Sequence, residues 1–339
     1  MGQSESRRLF LLGLAAAAAC PGHLLAATDA FYRGKRLTMV VGFAPGGGVD
    51  TDARIFARHL PRFIAGSPGF LVQNMEGAAG IIAANYLYQR IAPDGLTIAV
   101  PGRSWFVEGA IQTEGIRFDP SKFSYIGSPG AVNSVVYVRS ATGIRSFDDL
   151  GKSRKTIVFG ALGNLTPTAM VPFMLAEQGL PVRVVAGYVS SARVIVALEQ
   201  GEIDGYFTVE STFGLREELV EKKLLVPILQ NTNVHPGLPL VRDVLPASDR
   251  PLLTVVMAME TFGLPVIGPP NMPAERLSEL RRAFVEMCAD KEYHVDAAKV
   301  GLPVEGAISG EKLAEMMREL TEAATPEVIA HYKRLGSNR

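Results

Sequence analysis

The sequence predicts an α/β protein built as two similar halves, and three features of its order predict this. A short apolar run, Leu37 to Phe43, stops at Ala44-Pro45 and the glycines Gly46, Gly47 and Gly48, after which Phe56, Leu60, Phe63 and Ile64 recur at helical spacing. A second strand, glycine turn and helix follow, so the chain opens as βαβαβ. From Val135 the same alternation begins again without repeating the sequence.

The first strand carries β-branched Thr38, Val40 and Val41, as a buried parallel strand does. Its glycine turn aims the free N–H groups of the next helix at one spot and lets a ligand approach the backbone, which suits an anion. Phe70 to Gln73 reads as the second strand and Asn74 to Gly80 as the second glycine turn. The helix after it places Ala83, Tyr86, Leu87 and Ile91 on one face, Pro93-Asp94-Gly95 closes it, and Leu96 to Val100 is the next strand. Ligands of such sheets sit at the carboxyl ends of the strands. Pro101 to Trp105 arrives at that edge, so Arg103, Ser104 and Trp105 are candidates for a pocket wall. Arg103 reads equally as a surface arginine, and Trp105, the single tryptophan, equally as core.

Gln112 to Gly130 carries turn residues with little periodicity and reads as a connection. Val135 to Val138 is a strand, Phe147 to Leu150 a helical turn, and Thr156 to Phe159 a strand. A third small-residue turn, Gly160 to Thr168, contains Gly163 and Asn164 and precedes a helix with Met170, Phe173, Met174 and Leu175. Val182 to Ala186 ends in Gly187-Tyr-Val-Ser-Ser191, which opens a helix over Val194, Ile195, Ala197 and Leu198 that stops at Gly201. Ile203 to Val209 and Leu224 to Leu229 complete a second sheet, with Glu210-Ser211-Thr212 at its edge. Ser190, Ser191, Ser211 and Thr212 are candidate hydrogen-bonding groups for the far end of a ligand, or plain helix caps. Leu252 to Met259 is apolar. Pro269, Pro270 and Pro273 lead into a helix with Leu277, Leu280, Phe284 and Met287, and further helices start at Ser309 and at Thr325, where Pro326 completes a start signal. These helices have no sheet of their own and are expected to fold back onto the first half.

A length of 339 residues suggests two domains, and 47% hydrophobic with 20% charged residues is a globular composition. The 34 basic residues balance 34 acidic ones, so nothing points to nucleic acid or an anionic membrane as partner. Residues 1–27 read as an export signal: Arg7 and Arg8, the apolar run Leu9 to Ala19, and a small-residue cleavage site near Ala27. That run is shorter than the roughly 20 residues of a membrane span. Ser6-Arg-Arg-Leu-Phe-Leu11 resembles a twin-arginine signal, although paired arginines also open ordinary secretion signals. Cys20 is a poor lipid acceptor, because Ala17 stands three before it in place of a larger aliphatic residue. Leu252 to Gly268 is interrupted by Glu260, Gly263 and Pro265, so no stable membrane insertion is expected. Beyond the signal a single cysteine, Cys288, remains, which excludes an intramolecular disulfide and suits a buried small hydrophobe. His59, His235, His294 and His331 lack ligand spacing, so no metal site is assigned. The G-x-G-x-x-G spacing is not met, no acidic residue ends the second strand, and neither G-x-S-x-G nor a phosphate loop occurs. No cofactor is therefore assigned, and a Rossmann-like enzyme is the weaker alternative.

Several ordered motifs resemble one family over essentially the whole mature chain: the Bug family, the extracytoplasmic solute-binding proteins of tripartite tricarboxylate transporters. Gly42-Phe-Ala-Pro-Gly-Gly-Gly-Val-Asp50 is similar to its PFPPGGxxD. Asn74 to Gly80 and Ala92-Pro-Asp-Gly-Leu-Thr97 are similar to N-R-P-G-A-G-G and A-x-P-D-G-Y-T. Gly201-Glu-Ile-Asp204 resembles G-G-x-V-D, and Phe262-Gly-Leu-Pro-Val with Pro269 to Arg276 resembles the returning segment and its helix. The resemblance implies a type II periplasmic-binding-protein fold, two doubly wound α/β lobes joined by two crossovers. The lobes would be residues 28–130 with 252–339, and residues 131–251. It implies a periplasmic monomer without catalytic groups that captures a small carboxylate, mono- or dicarboxylic, aromatic or amino-acid-like, for a transporter of one large and one small membrane subunit. A sensing subunit with the same ligand is the alternative partner. By position, Ala44, Gly46, Gly47, Gly48 and Asp50, then Gly77, Ala78, Ala79 and Gly80, would hold the carboxylate through backbone groups and water. Asp50 would cap the helix, orient a water or meet a ligand amine. Met75 and Glu76 replace the family's Arg-Pro, Ala79 replaces a glycine, and Ala169 or Met170 stands where the family has a histidine.

Overall fold

The computed structural model describes residues 31–213, 217–302, 304 and 306–337. Residues 1–27, which the sequence reading takes as an export signal with Arg7, Arg8, Cys20 and Ala27, lie outside the described residues.

The first sheet begins with the predicted units β1 (Arg36–Val41), α1 (Gly48–His59), β2 (Gly69–Asn74), α2 (Ile81–Arg90) and β3 (Thr97–Val100), followed by α3 (Trp105–Ala110) and β4 (Ser124–Ser128). The second comprises β5 (Ser134–Arg139), α4 (Phe147–Lys152), β6 (Ile157–Ala161), α5 (Pro167–Glu177), β7 (Val182–Ala186), α6 (Ser191–Gln200), β8 (Gly205–Val209), α7 (Glu217–Glu221), β9 (Leu225–Gln230) and α8 (Val241–Val244). The chain returns through α9 (Arg250–Thr261), β10 (Val266–Gly268), α10 (Ala274–Ala289), α11 (Lys291–Val300), β11 (Ile308–Ser309), α12 (Gly310–Ala323) and α13 (Pro326–Ser337). Strand orders are β11-β4-β10-β3-β1-β2 and β7-β6-β8-β5-β9, so the chain crosses between sheets twice, after β4 and after β9. Both sheets are mixed: β1 is parallel to β2 and β3, but β10 is antiparallel to β3 and β4. A dinucleotide-binding sheet runs parallel throughout in the order 3-2-1-4-5-6, so this is a different fold.

Alternation along β1 explains the layers. Leu37, Met39 and Val41 face a core made with Phe56 of α1, Phe284 and Met287 of α10, and Tyr293 of α11. Val40 and Ala99 face the opposite core with Leu87 of α2, Trp105 of α3, and Met317 of α12. That second core continues without a break into Val136 and Phe159 of the other sheet, Met174 of α5, and Val255 and Val256 of α9. The far face of the second sheet closes on Val194 and Leu198 of α6.

Two expectations are corrected, and two elements go beyond the sequence reading. Residues 112–130 are not a plain connection, because β4 is a fully buried strand of the first sheet. Its serines conceal it in the sequence, and both are satisfied inside: Ser124 Oγ donates to Pro269 O at 2.7 Å, and Ser128 Oγ accepts from Leu264 N at 3.1 Å. The apolar run from Leu252 is helix α9. The last helices do not cover only the first sheet, since α9 and α13 also pack against α5 of the second. Helix α11 emerges where no helix was expected, opened by Asp290, whose carboxylate accepts from Tyr293 N at 3.0 Å. Cys288 is buried, and burial pushes its thiol up to about 12. No helix among the described residues is long and apolar enough to cross a membrane.

Candidate functional site

Register brings the glycine turns together. Val41 pairs with Asn74 on one side and with Val100 on the other, so β1, β2 and β3 end level and their loops leave side by side. The loops then pack backbone on backbone. A Cβ at Gly42 would stand 2.2 Å from Pro101 O and 2.9 Å from Gly80 Cα, and one at Gly80 would stand 2.0 Å from Pro101 O. Gly42 and Pro101 are thus keystones that sequence reasoning passed over.

In the first loop, residues 44–48 are exposed and Asp50 is buried beneath them. Its Oδ2 accepts from Gly46 N and from Arg54 Nε, both at 2.8 Å, and its Oδ1 accepts from Asn74 Nδ2 at 2.7 Å. Asn74 Nδ2 also donates to Phe43 O at 2.8 Å. Burial alone would raise the Asp50 pKa, but hydrogen bonds from Arg54, Asn74 and Gly46 outweigh it and hold the carboxyl down at about 2. Asp50 is therefore a brace tying loop, helix and second strand together. Its oxygens are turned to the protein, which corrects the idea that it meets a ligand amine, and Gly46 N–H is likewise engaged. Gly47 occupies the N-cap position without a side-chain hydrogen bond. No side chain caps the first turn of α1, whose N–H groups have no partner within the helix, and a Cβ on Gly48 would meet nothing within 4 Å.

The second loop is strained. Gly77, Ala78, Ala79 and Gly80 take φ values of +132°, +45°, +51° and +94° in succession. A left-handed alanine costs roughly 1–2 kcal/mol, and Ala78 and Ala79 both adopt this conformation at the exposed tip. Such strain gathers at ligand clamps.

The third loop supplies the charge. Arg103 Nη2 lies 3.7 Å from Asp52 Oδ2, with the arginine side chain 34% exposed. Ser104 Oγ donates to Ala79 O at 3.5 Å, linking the second and third loops. Burial pushes the Asp52 carboxyl up to about 6, against the pull of Arg103. An ordinary aspartate titrates near 3.9, so the stabilisation from keeping Asp52 neutral is complete below about pH 4 and lost as pH rises through about 6. Asp52→Asn is expected to melt above the wild type at about pH 8 and level with it at about pH 4. A pH-independent difference in melting temperature would contradict this. Trp105 is corrected to core: it is fully buried and packs edge-on against Phe106, Phe118 and Phe123.

In the second half, hydroxyls expected near a ligand serve the fold. Ser190 accepts from Arg193 N at 3.4 Å as the cap of α6, and Ser191 Oγ accepts from Tyr206 OH at 3.2 Å. Thr208 and Thr212 hydroxyls meet at 3.0 Å. Ser211 lies in the turn Glu210–Phe213, and its side chain is outside the described residues. Gly163 and Asn164 are half-buried in a turn closed by Thr166, whose Oγ1 donates to Gly163 O at 2.7 Å, while Tyr332 OH of α13 donates to Leu165 O at 2.8 Å. Beside this loop Val189 is 89% exposed. The structure brings residues 44–48, 77–80 and 103–104 to one edge, and places 163–164 and 190–191 at the ends of β6 and β7 in the other sheet.

Comparisons with known proteins agree with this architecture. No family model matches the chain. A curated protein of Pseudomonas sp. (strain P51), described as a UPF0065 protein in the tcbD-tcbE intergenic region, is 25% identical over 339 residues, spanning 98% of this chain and 96% of its own. The solved structure of a TctC solute binding protein from Polaromonas, without ligand, is similar with a TM-score of 0.70 at 15% identity, over 90% of this chain and 98% of that one. MatC from Rhodopseudomonas palustris with bound malate is similar with a TM-score of 0.53 at 16% identity, over 87% and 99%. These likenesses show a type II periplasmic-binding-protein fold.

Proposed function

We propose that this chain, which has the fold of the TctC and Bug solute-binding proteins, is a periplasmic receptor that captures a small carboxylate between its two lobes and hands it to a membrane transporter of one large and one small subunit. The lobes are residues 28–130 with 252–339, and residues 131–251. One observation carries the reading: the first turn of α1, which no side chain caps, stands at the edge where the loops after three level strands meet.

The chemistry is binding without catalysis. N–H groups of Gly48 and Val49 donate to the carboxylate, Ala44 and Gly47 let it approach, and Ala78 and Ala79 close the opposite side. Arg103 supplies a cation beside Asp52. Asp50 and Gly46 hold the loop's shape. Hydrogen bonds to a charged group contribute roughly 1.5–3 kcal/mol each, and the helix dipole adds about 0.3–1. Three such donors near the upper end of that range reach the approximately 8 kcal/mol of a micromolar complex. The MatC neighbour holds a carboxylate, malate, within the same fold.

The test is a thermal-shift panel of mono- and dicarboxylates against matched neutral amides and alcohols. Several carboxylates are expected to raise the melting temperature and their amides to leave it unchanged. A flat response across the acids would contradict the reading.

A further inference from the structure

A second cavity lies between the sheets, lined by none of the glycine-loop residues. A cavity of about 530 Å³ is walled on one side by Asn133, Glu210 and Thr232, and on the other by Ala298, Gly301 and Leu302 at the end of α11. The first group sits where β5 begins and where β8 and β9 end, so the two walls come from different sheets.

Both walls are electronegative. Among the described residues Glu210 is held by three donors: Asn133 Nδ2 at 2.9 Å, His235 Nε2 at 2.6 Å, and the hydroxyl of Tyr137. A carboxylate offers about four lone-pair positions, so Glu210 is oriented with capacity for one more donor. Thr232 Oγ1 donates to Asn133 Oδ1 at 2.5 Å and fixes that amide in turn. Across the cavity α11 ends at Gly301 in the left-handed conformation, with Gly301 and Leu302 N–H groups turned back to Ala298 and Ala297 carbonyls. The negative end of the helix dipole therefore points this way. Among the described residues no basic side chain lines the cavity. Lys299 lines the neighbouring groove and is bonded to Asp296 at 2.9 Å.

We propose that this cavity takes a protonated amine, so that the preferred solute carries an ammonium group as well as a carboxylate and a second carboxylate is rejected. The inference deepens the carboxylate-receptor reading and rests on it for the acid end alone. The ammonium donates to Glu210 and to the hydroxyl oxygen of Thr232, while the apolar part of the wall, Val132, Val209 and Val234, covers the connecting chain. A carboxylate there would face Glu210 with no cation between them, a like-charge contact without compensation.

The experiment uses four matched straight-chain series: alkanoates, ω-amino acids, α,ω-diacids and α,ω-diamines. Each is titrated calorimetrically into the protein at about pH 8. In the best-fitting length the ω-amino acid is expected to bind roughly tenfold or more tighter than the alkanoate, with the diacid weakest. Glu210→Gln keeps the side-chain size and removes the charge, and is expected to remove that preference while leaving alkanoate affinity unchanged. The ranking within the wild type stands as a test even if the variant folds poorly. Diacids binding best, or a preference that survives Glu210→Gln, would overturn the proposal. Glu210-dependent binding of diamines with no response to any acid would support the cavity and overturn the carboxylate reading. No response to either amine series would overturn the cavity.

Discussion

Gly80→Val is expected to destabilise the protein by about 3 kcal/mol or more and to abolish carboxylate binding with it. Two independent reasons apply at this residue. Its φ of +94° is a conformation that L side chains rarely adopt. Its Cβ would stand 2.0 Å from Pro101 O, which is backbone and has no rotamer to move away. Relief would have to separate the loops after β1, β2 and β3, which the level strand ends hold together. The control is Gly48→Ala, where nothing lies within 4 Å and φ is ordinary for a helix start. It is expected to change stability by less than about 0.5 kcal/mol. Equilibrium unfolding in urea measures both. Equal stability of the two variants would show that the three loops do not depend on this contact.

Gly47→Val is expected to separate binding from folding. Gly47 has φ −76° and ψ 166°, extended backbone that a β-branched residue adopts readily. Its Cβ would lie 3.4 Å from Ala44 O, an ordinary contact. Valine therefore fits the loop, but its methyl groups stand over the first turn of α1 where the acid is to be held. Losing two charge-assisted hydrogen bonds corresponds to a roughly hundredfold or larger rise in Kd. The unliganded melting temperature is expected to move by less than about 3 °C. Retained affinity would place the anion elsewhere.

The βαβαβ opening was legible because its signals are local. An apolar β-branched run ends in glycines, and Phe56 and Leu60 return at helical spacing. The caps at Ser190 and Thr325 were legible as start signals for the same reason; Val328 N donates to Thr325 Oγ1 at 3.3 Å. Strand β4 was not legible, because Ser124 and Ser128 break its apolar character and their partners lie in a segment about 140 residues later in the chain. Helix α9 was not, because Leu252, Leu253, Val255, Val256 and Met257 are all buried and erase the one-sided pattern that marks a surface helix. At the site, the glycine turns were legible as a place but not as a mechanism. Arg54 lies one helical turn from Asp50, which sequence can suggest, whereas Asn74 is 24 residues away and arrives only through strand pairing. That pairing turns Asp50 from a possible ligand contact into a brace. Trp105 could have faced either way from a strand end, and the ring cluster of Phe106, Phe118 and Phe123 decides it.

The most direct test of carboxylate capture is a crystal structure of the protein with the best-binding acid from the panel. The account predicts both carboxylate oxygens within hydrogen-bonding distance of the first-turn N–H groups of α1, with residues 77–80 closing the opposite side and Asp50 still bonded to Gly46 and Asn74. An acid held elsewhere with the first turn of α1 left to solvent would contradict it.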